Sequence, residues 1–351
     1  MKTTAWKVLV AATALILSLS CNTEQPQKED QKPETRKKVK AKDILGNPDY
    51  LAISFGGYRE NTRDIQPTVA QLKEDMKILS AMQVKVLRTY NTKFKHASNV
   101  LKAIHELKKE DPNFEMYVML GAWIDCKDAF TAQPNHDEED AEANAAEIQR
   151  AVDLANQYPD IVKIIAVGNE AMVKWAASYF VQPWVILKWV NHLQDLKSNG
   201  NLPKDLWITS SDNFASCSGG GEEYHTEDLT KLIQAVDYVS LHTYPMHDTH
   251  YNPQFWGISE KEKNLSKTEK IAAAMERARD YAKSQYQNTA DYIGSLGITK
   301  PIHIGETGWA SASNGFYGAE GSKATDEYKS GIYYKLMRDW TKEAKIACFY
   351  F

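Results

Sequence analysis

Two glutamates stand where a buried strand would hand its last residues to a loop. The apolar run Ile164-Ile165-Ala166-Val167 leads into Gly168-Asn169-Glu170-Ala171, and Pro301-Ile302-His303-Ile304-Gly305 leads into Glu306, followed by Thr307-Gly308-Trp309. Carboxyl groups so far apart in sequence can work as a pair only if a fold brings them together. The chemistry open to such a pair is a division of labour. One carboxyl stays protonated to help a leaving oxygen depart, while the other is ionised and attacks the carbon left behind.

The elements that must position them follow from hydrophobic patterning. From about Asp49 onward, short β-rich apolar runs alternate with longer amphipathic stretches, the pattern of βα units around a parallel sheet. Eight strands are predicted, over 51–55, 84–89, 116–122, 162–167, 206–210, 238–242, 301–305 and 346–351. Several are nearly continuous in apolar residues, as parallel strands covered on both faces are. Val69, Leu72, Met76, Leu79 and Met82 recur at helical spacing and predict one buried stripe. Further helices are predicted over 97–109, 138–156, 184–197, 228–235, 266–295 and 325–342, with Pro67 and Thr325-Asp326-Glu327 as start signals. Eight strands with seven intervening helices predict a (β/α)8 TIM barrel, which keeps its chemistry at the carboxyl ends of its strands, where both glutamates fall. The sequence stops at Phe349-Tyr350-Phe351, inside the eighth strand, so the closing helix of such a barrel is not expected within it.

The 351 residues suit one such barrel of about 250 residues with extensions. At 43% hydrophobic, the chain matches neither a disordered nor a polytopic membrane protein. No interior apolar run approaches the roughly 20 residues of a membrane span. At the start, Lys2 and Lys7 precede an apolar stretch from Val8 to Leu19 that ends at Ser20-Cys21. That pattern resembles a bacterial lipoprotein export signal, with Cys21 as the lipidated residue and residues 1–20 removed. Ser18 stands where such signals usually carry an aliphatic residue, which leaves an ordinary secretory peptide or an uncleaved anchor as alternatives. Residues 21–47 are predicted to be a flexible tether and 48–351 the catalytic domain, because 22–43 are rich in Gln, Lys, Glu and Pro and cannot bury a core. The basic cluster Arg36-Lys37-Lys38-Val39-Lys40 reads as a solvated charge run, and no nucleic-acid module accompanies it. Cys126, Cys217 and Cys348 show no Cys-x-x-Cys spacing, so free thiols are expected, with a Cys126 to Cys217 bridge as the alternative.

The two glutamate motifs carry a family resemblance. Gly168-Asn169-Glu170-Ala171 and Ile304-Gly305-Glu306-Thr307-Gly308-Trp309-Ala310-Ser311 resemble the acid/base and nucleophile motifs of family 17 glycoside hydrolases, which are β-1,3-glucanases and glucanosyltransferases. Val86-Leu87-Arg88-Thr89-Tyr90 resembles that family's second-strand motif, and Val236 through Pro245 its sixth. The resemblance runs from about Leu51 to Phe351. It implies Glu170 as general acid/base on the fourth barrel strand and Glu306 as nucleophile on the seventh. It further implies Asn169 on a sugar hydroxyl, Arg88 close to Glu306, and Tyr244 donating to the same carboxylate or to the sugar ring. His242 is either a substrate contact or a satisfied core histidine. Ala310 stands where plant members carry a proline, which suggests a bacterial branch, and the family's residues after the eighth strand would fall beyond Phe351.

Sugar rings present apolar C–H faces, so flat side chains near the strand ends are binding candidates. Trp309 is the foremost, with Tyr58 and Trp123, and then Tyr90, Trp175 and Trp256, as further subsite residues. The His247-Asp248-Thr249-His250 segment lacks the further partners a metal site needs, and no metal or cofactor is expected. Ser218-Gly219-Gly220-Gly221 lacks the ending of a phosphate loop and reads as a flexible rim loop. The expectation is a monomeric enzyme, lipid-anchored in a bacterial envelope, performing retaining endo-hydrolysis of β-1,3-glucan. The alternatives are a glucanosyltransferase and a non-catalytic glycan-binding lipoprotein. Metabolic labelling with a fatty-acid analogue checks the anchor: the parent incorporates label and Cys21→Ala does not, and equal labelling of the two refutes lipidation at Cys21.

Overall fold

The computed structural model describes residues 38–312 and 325–351; Cys21 and the leader lie outside the described residues. Eight parallel strands close into a barrel. They are β1 Leu51–Ser54, β2 Val84–Arg88, β3 Tyr117–Ala122, β6 Val162–Asn169, β7 Trp207–Asn213, β8 Val239–His242, β9 Ile302–Thr307 and β10 Cys348–Tyr350, with β10 pairing back onto β1. Between β3 and β6 stands a small antiparallel hairpin, β4 Cys126–Lys127 with β5 Asn135–Glu139. The outer layer comprises α2 Val69–Ala81, α3 Lys95–Glu110, α4 Ala141–Gln157, α5 Pro183–Ser198, α6 Glu227–Ala235, α9 Lys267–Ser295 and α10 Glu327–Glu343, with the short α7 Pro245–Thr249 and α8 Pro253–Trp256 between β8 and α9. The expected (β/α)8 barrel is therefore present.

Several expectations need correction. Residues 138 and 139 belong to β5, not to a helix, because Asp140 caps α4 by accepting from the Ala143 N–H at 3.1 Å. In α2 the stripe buries Leu72 and Met76, while Met82 is 61% exposed because it lies past the last helical turn, at the C-cap. Residues 38–47, placed in the tether by composition, are folded. The short helix α1, Ala41–Ile44, buries Ala41, Ile44 and Leu45 in the same apolar cluster as the barrel interior, and Lys38 and Lys40 pair with Asp205 rather than standing free. The glycine-rich run is no open rim loop either: Ala215–Gly219 forms a wide helical turn packed on α9, with Ser216, Cys217 and Ser218 buried. Cys126, Cys217 and Cys348 are free thiols.

Inside the barrel the alternation of a strand governs chemistry. Ala52, Val86, Met119, Ile164, Ala166, Tyr238 and Phe349 fill the lower interior. Two residues further along their strands, Arg88 follows Val86 and Ser240 follows Tyr238, so the core turns polar toward the carboxyl ends. Two β-bulges then break the count. Ala166 is in register with Thr209 but Asn169 with Ser211, so β6 spends three residues where β7 spends two. Likewise Ile304 faces Leu241 and Glu306 faces His242, two residues against one. Each extra residue inverts the inside-outside alternation, turning Asn169 and Glu306 inward from positions that an unbroken strand would point outward.

Glycines sit at both bulges. At Gly168 φ is +78°, in the left-handed region that glycine adopts without cost, and at Gly305 a Cβ would stand 2.7 Å from Ser211 Oγ and nearer still to Ser240 Oγ. Gly305→Ala is therefore expected to lose about 1–3 kcal/mol. The control Gly294→Ala in α9, where a methyl meets nothing within 4 Å, should be level or gain up to about 1 kcal/mol. Thermal melts at one pH compare the two; a Gly305→Ala melt that overlays the parent's would show that the bulge is not tightly packed.

Candidate active site

Arg88 enters the barrel from β2 and is 1% exposed. Its Nη1 pairs with Glu306 Oε2 and donates to the Gly305 carbonyl at 3.0 Å, while Nη2 donates to Asn169 Oδ1 at 2.6 Å. Tyr90 donates to Glu306 Oε2 at 3.2 Å and Tyr244 to Oε1 at 2.5 Å, so each carboxylate oxygen has at least one donor. Burial, reinforced by the Glu306 charge, pushes both tyrosine hydroxyls up, which keeps them donors. Glu306 is thus a nearly buried side chain fixed from the ends of two other strands, β2 and β8.

Glu170 is held differently. It takes a left-handed φ of 46°, and its backbone N–H donates to the Ser211 carbonyl at 3.0 Å. Burial pushes its carboxyl up to about 7, with the Arg88 charge and hydrogen bonding from Asn213 opposing. His242 Nδ1 lies 3.2 Å from Glu170 Oε1, and its Nε2 lies 2.7 Å from Ser211 Oγ. Burial first, and then the Arg88 charge, hold the imidazole down to about 3, so His242 is neutral. When Glu170 is ionised it can only accept, so Nδ1 carries the proton and Nε2 accepts from the Ser211 hydroxyl. A second buried acid supports this corner. Asp212 accepts from the Met172 N–H at 2.8 Å, from the Asn213 N–H at 2.8 Å and from the Ser216 hydroxyl, and burial pushes it up to about 7.

Above these groups opens a cavity of about 830 Å³, lined among others by Glu170, Glu306, Asn213, Tyr244, Trp175 and Trp309. The structure thus brings together Glu170, Glu306, Arg88, Asn169, His242 and Tyr244, as the sequence predicts. Trp309 lines the cavity and is backed by Trp256 at 5.5 Å and Tyr333 at 5.1 Å between ring centroids. Tyr58 does not line it. The chain turns at Gly57, where φ is +65°, and the Tyr58 ring stacks on His96 at 5.3 Å. Trp123 lies outside the lining as well, its Nε1 donating to Asp125 at 2.6 Å. Sequence reasoning missed Ser211, Asp212 and Asn213; the polar run Ser210-Ser211-Asp212-Asn213 at the end of an apolar strand was the signal. It also gave Tyr90 a sugar-binding role without its bond to Glu306.

Comparison with known proteins decides the family. Residues 52–351 match the model of the BtgE/BtgC glycoside hydrolase domain. The chain belongs to that glycoside hydrolase family. It is 69% identical to an endo-laminarinase from Formosa Hel1_33_131, with 89% of this chain and 80% of that one covered and a TM-score of 0.87. Plant β-glucan endohydrolases (15% identity, TM-score 0.51, covering 86% of this chain and 89% of theirs) share the fold. So does a Bacteroides uniformis β-glucuronidase (13% identity, TM-score 0.51, covering 88% of this chain and 31% of that one). Among curated proteins none matches.

This glycoside hydrolase gives up stability to keep its acids buried. Glu170 and Asp212 both stand near 7, above ordinary carboxylates, so the folded state retains protons that the unfolded chain has released. The cost is absent below about pH 4 and grows as pH rises toward and through 7. Glu170→Gln removes its share: the variant should be more stable than the parent at pH 8 by roughly 1–3 kcal/mol and equal to it at pH 4. Melting curves at both pH values check this, and a gain of the same size at pH 4 would contradict it.

Proposed function

We propose that this glycoside hydrolase cleaves internal β-1,3-glucosidic bonds of laminarin-like glucan with retention of configuration, as a member of glycoside hydrolase family 17. The observation that carries the reading is the unlike setting of the two carboxyl groups: Glu306 is locked to Arg88, Tyr90 and Tyr244, while Glu170 sits in a desolvated corner with its proton held up to about 7. A pair of acids whose environments differ in this way suits one group for attack and the other for proton donation. The 69% identical endo-laminarinase supports the substrate and the endo mode.

In this mechanism a Glu306 oxygen bonds to the anomeric carbon as the glycosidic C–O bond breaks, and the departing oxygen takes the proton from Glu170. Glu170, now ionised, removes a proton from water, whose oxygen bonds to the same carbon and releases Glu306. Arg88 and the two tyrosines fix the attacking carboxylate, leaving little reorganisation for the reaction step. Asn169, tied to Arg88 through its Oδ1, has its amide N–H groups to offer a sugar hydroxyl. His242 and Ser211 serve Glu170 in both of its protonation states.

The reading also includes export, with residues 1–20 as leader, lipidation at Cys21 and action as a monomer at the bacterial cell envelope, on the strength of the leader pattern. Glu306→Gln should lower kcat on laminarin about 10³-fold or more while glucan binding persists. Reducing-end assays and affinity electrophoresis measure the two. Undiminished turnover in that variant would remove Glu306 from the role of nucleophile.

A further inference from the structure

A second run of aromatic rings adjoins the cavity. Trp123 follows directly on Ala122 of β3, which is in register with Val167, three residues before Glu170. The Trp123 and Tyr179 ring centroids are 5.0 Å apart with planes tilted by 44°, and Phe130 stacks on Tyr179 at 5.5 Å with planes 26° apart. Burial pushes the Tyr179 hydroxyl up, which keeps it a hydrogen-bond donor. Continuity with the cavity is covalent. Trp175 at the cavity edge and Tyr179 belong to successive turns, closed by the bond from Ala176 N–H to the Val173 carbonyl and from Tyr179 N–H to the Ala176 carbonyl.

The outer end is built rather than loose. Phe130 is 63% exposed, yet it adopts φ 60°, and Asp128 adopts φ 57°. Left-handed backbone at a residue with a Cβ is disfavoured by about 1–2 kcal/mol. It persists here because the hairpin is clamped to the segment after Glu170. Phe130 N–H donates to the Ser178 carbonyl at 2.7 Å and Cys126 N–H to the Tyr179 carbonyl at 3.3 Å, while the His136 ring stacks on Phe180 at 3.7 Å. A lone exposed phenylalanine needs no explanation. One fixed in strained backbone and stacked on Tyr179 does, because strain of this kind collects at functional sites.

We propose that Trp123, Tyr179 and Phe130 form an outer sugar-binding shelf that holds glucosyl residues of a β-glucan chain beyond those at the point of cleavage. Phe130, backed by Tyr179 and largely exposed, keeps a flat face free for the C–H face of a sugar ring, and Tyr179 and Trp123 carry the aromatic surface inward from it. Asp125, fixing Trp123 through its indole N–H, adds a carboxylate for a sugar hydroxyl at the inner end. The shelf rests on the glucanase reading for the identity of its ligand but not for its test.

The test compares chain lengths. The full chain and its Phe130→Ala, Phe130→Leu and Phe130→Trp variants are assayed on long soluble β-1,3-, β-1,4- and mixed-linkage glucans, and on the shortest oligosaccharide of each type that is cleaved. On the long chain Phe130→Ala should lower kcat/KM by about three- to tenfold, with kcat nearly unchanged, and leave the short substrate unaffected. Phe130→Trp should restore the rate and Phe130→Leu should not, a distinction that a merely structural role would not produce. The shelf is overturned if Phe130→Ala equals the parent on the long chain, impairs long and short substrates alike, or is rescued by leucine. If the parent leaves β-1,3-glucan intact but cleaves another of the glucans, the linkage reading alone fails, and the same comparison on the glucan it cleaves decides the shelf.

Discussion

The guanidinium of Arg88, 1% exposed inside a barrel, is the interaction on which the rest of the site depends. A charge taken so far out of water costs several kcal/mol unless it is paired and hydrogen-bonded. Its partners come from two distant places in the sequence: the Glu306 carboxylate and Gly305 carbonyl from one, and the Asn169 side chain from the other. Neither side chain could reach it if β6 and β9 ran without their bulges, since Asn169 and Glu306 would then point away from the barrel axis. The need to compensate one buried cation thus fixes the ends of β2, β6 and β9 relative to one another, and the two glutamates with them.

The same cation makes those glutamates unequal. Glu306 receives it directly, along with two phenolic donors. Glu170 feels it only at a distance, too weakly to offset its own desolvation, and remains near 7. His242 cannot supply a second positive charge, because burial and Arg88 together keep it neutral. A single buried arginine, placed against one carboxylate and not the other, is therefore enough to give the two glutamates unlike surroundings. The arrangement costs stability as pH rises toward and past 7, where two buried acids are forced to ionise, and that cost accompanies an acid that keeps a large share of its protons up to neutral pH.

Much of this was legible in the sequence and some was not, for physical reasons. Continuous apolar runs mark parallel strands, and a glutamate directly after one marks a strand end, so the barrel and both carboxyl groups could be read. Bulges could not: Gly168 and Gly305 are visible, but whether a strand gains a residue depends on its neighbours' register. The helix expected from residue 138 was a hairpin, since the alternation in Asn135–Glu139 is too short and too polar to carry a periodic signal. Residues 38–47 were misassigned because composition averages over a window in which three apolar side chains, Ala41, Ile44 and Leu45, suffice to anchor the segment. Tyr58 was misplaced by a glycine turn, and Tyr90, read only as an aromatic, proved to act through its hydroxyl.

Two kinds of support divide the site. The polar groups gathered around Arg88, Glu306 and Glu170 sit on strands or directly after them, where pairing on both sides and bulge geometry hold them, as precision in a barrel requires. Flat rings sit on the loops above, and these are braced too: Trp309 by Trp256 and Tyr333, Phe130 by the clamp between the β4/β5 hairpin and residues 176–180. Polysaccharide is a long ligand with many weak, similar contacts, so a ring that must reorder on each binding event would lose in entropy much of what stacking gains. Fixing the rings in advance removes that loss. For the proposed shelf, the same argument accounts for left-handed backbone at Asp128 and Phe130, residues outside the lining of the central cavity.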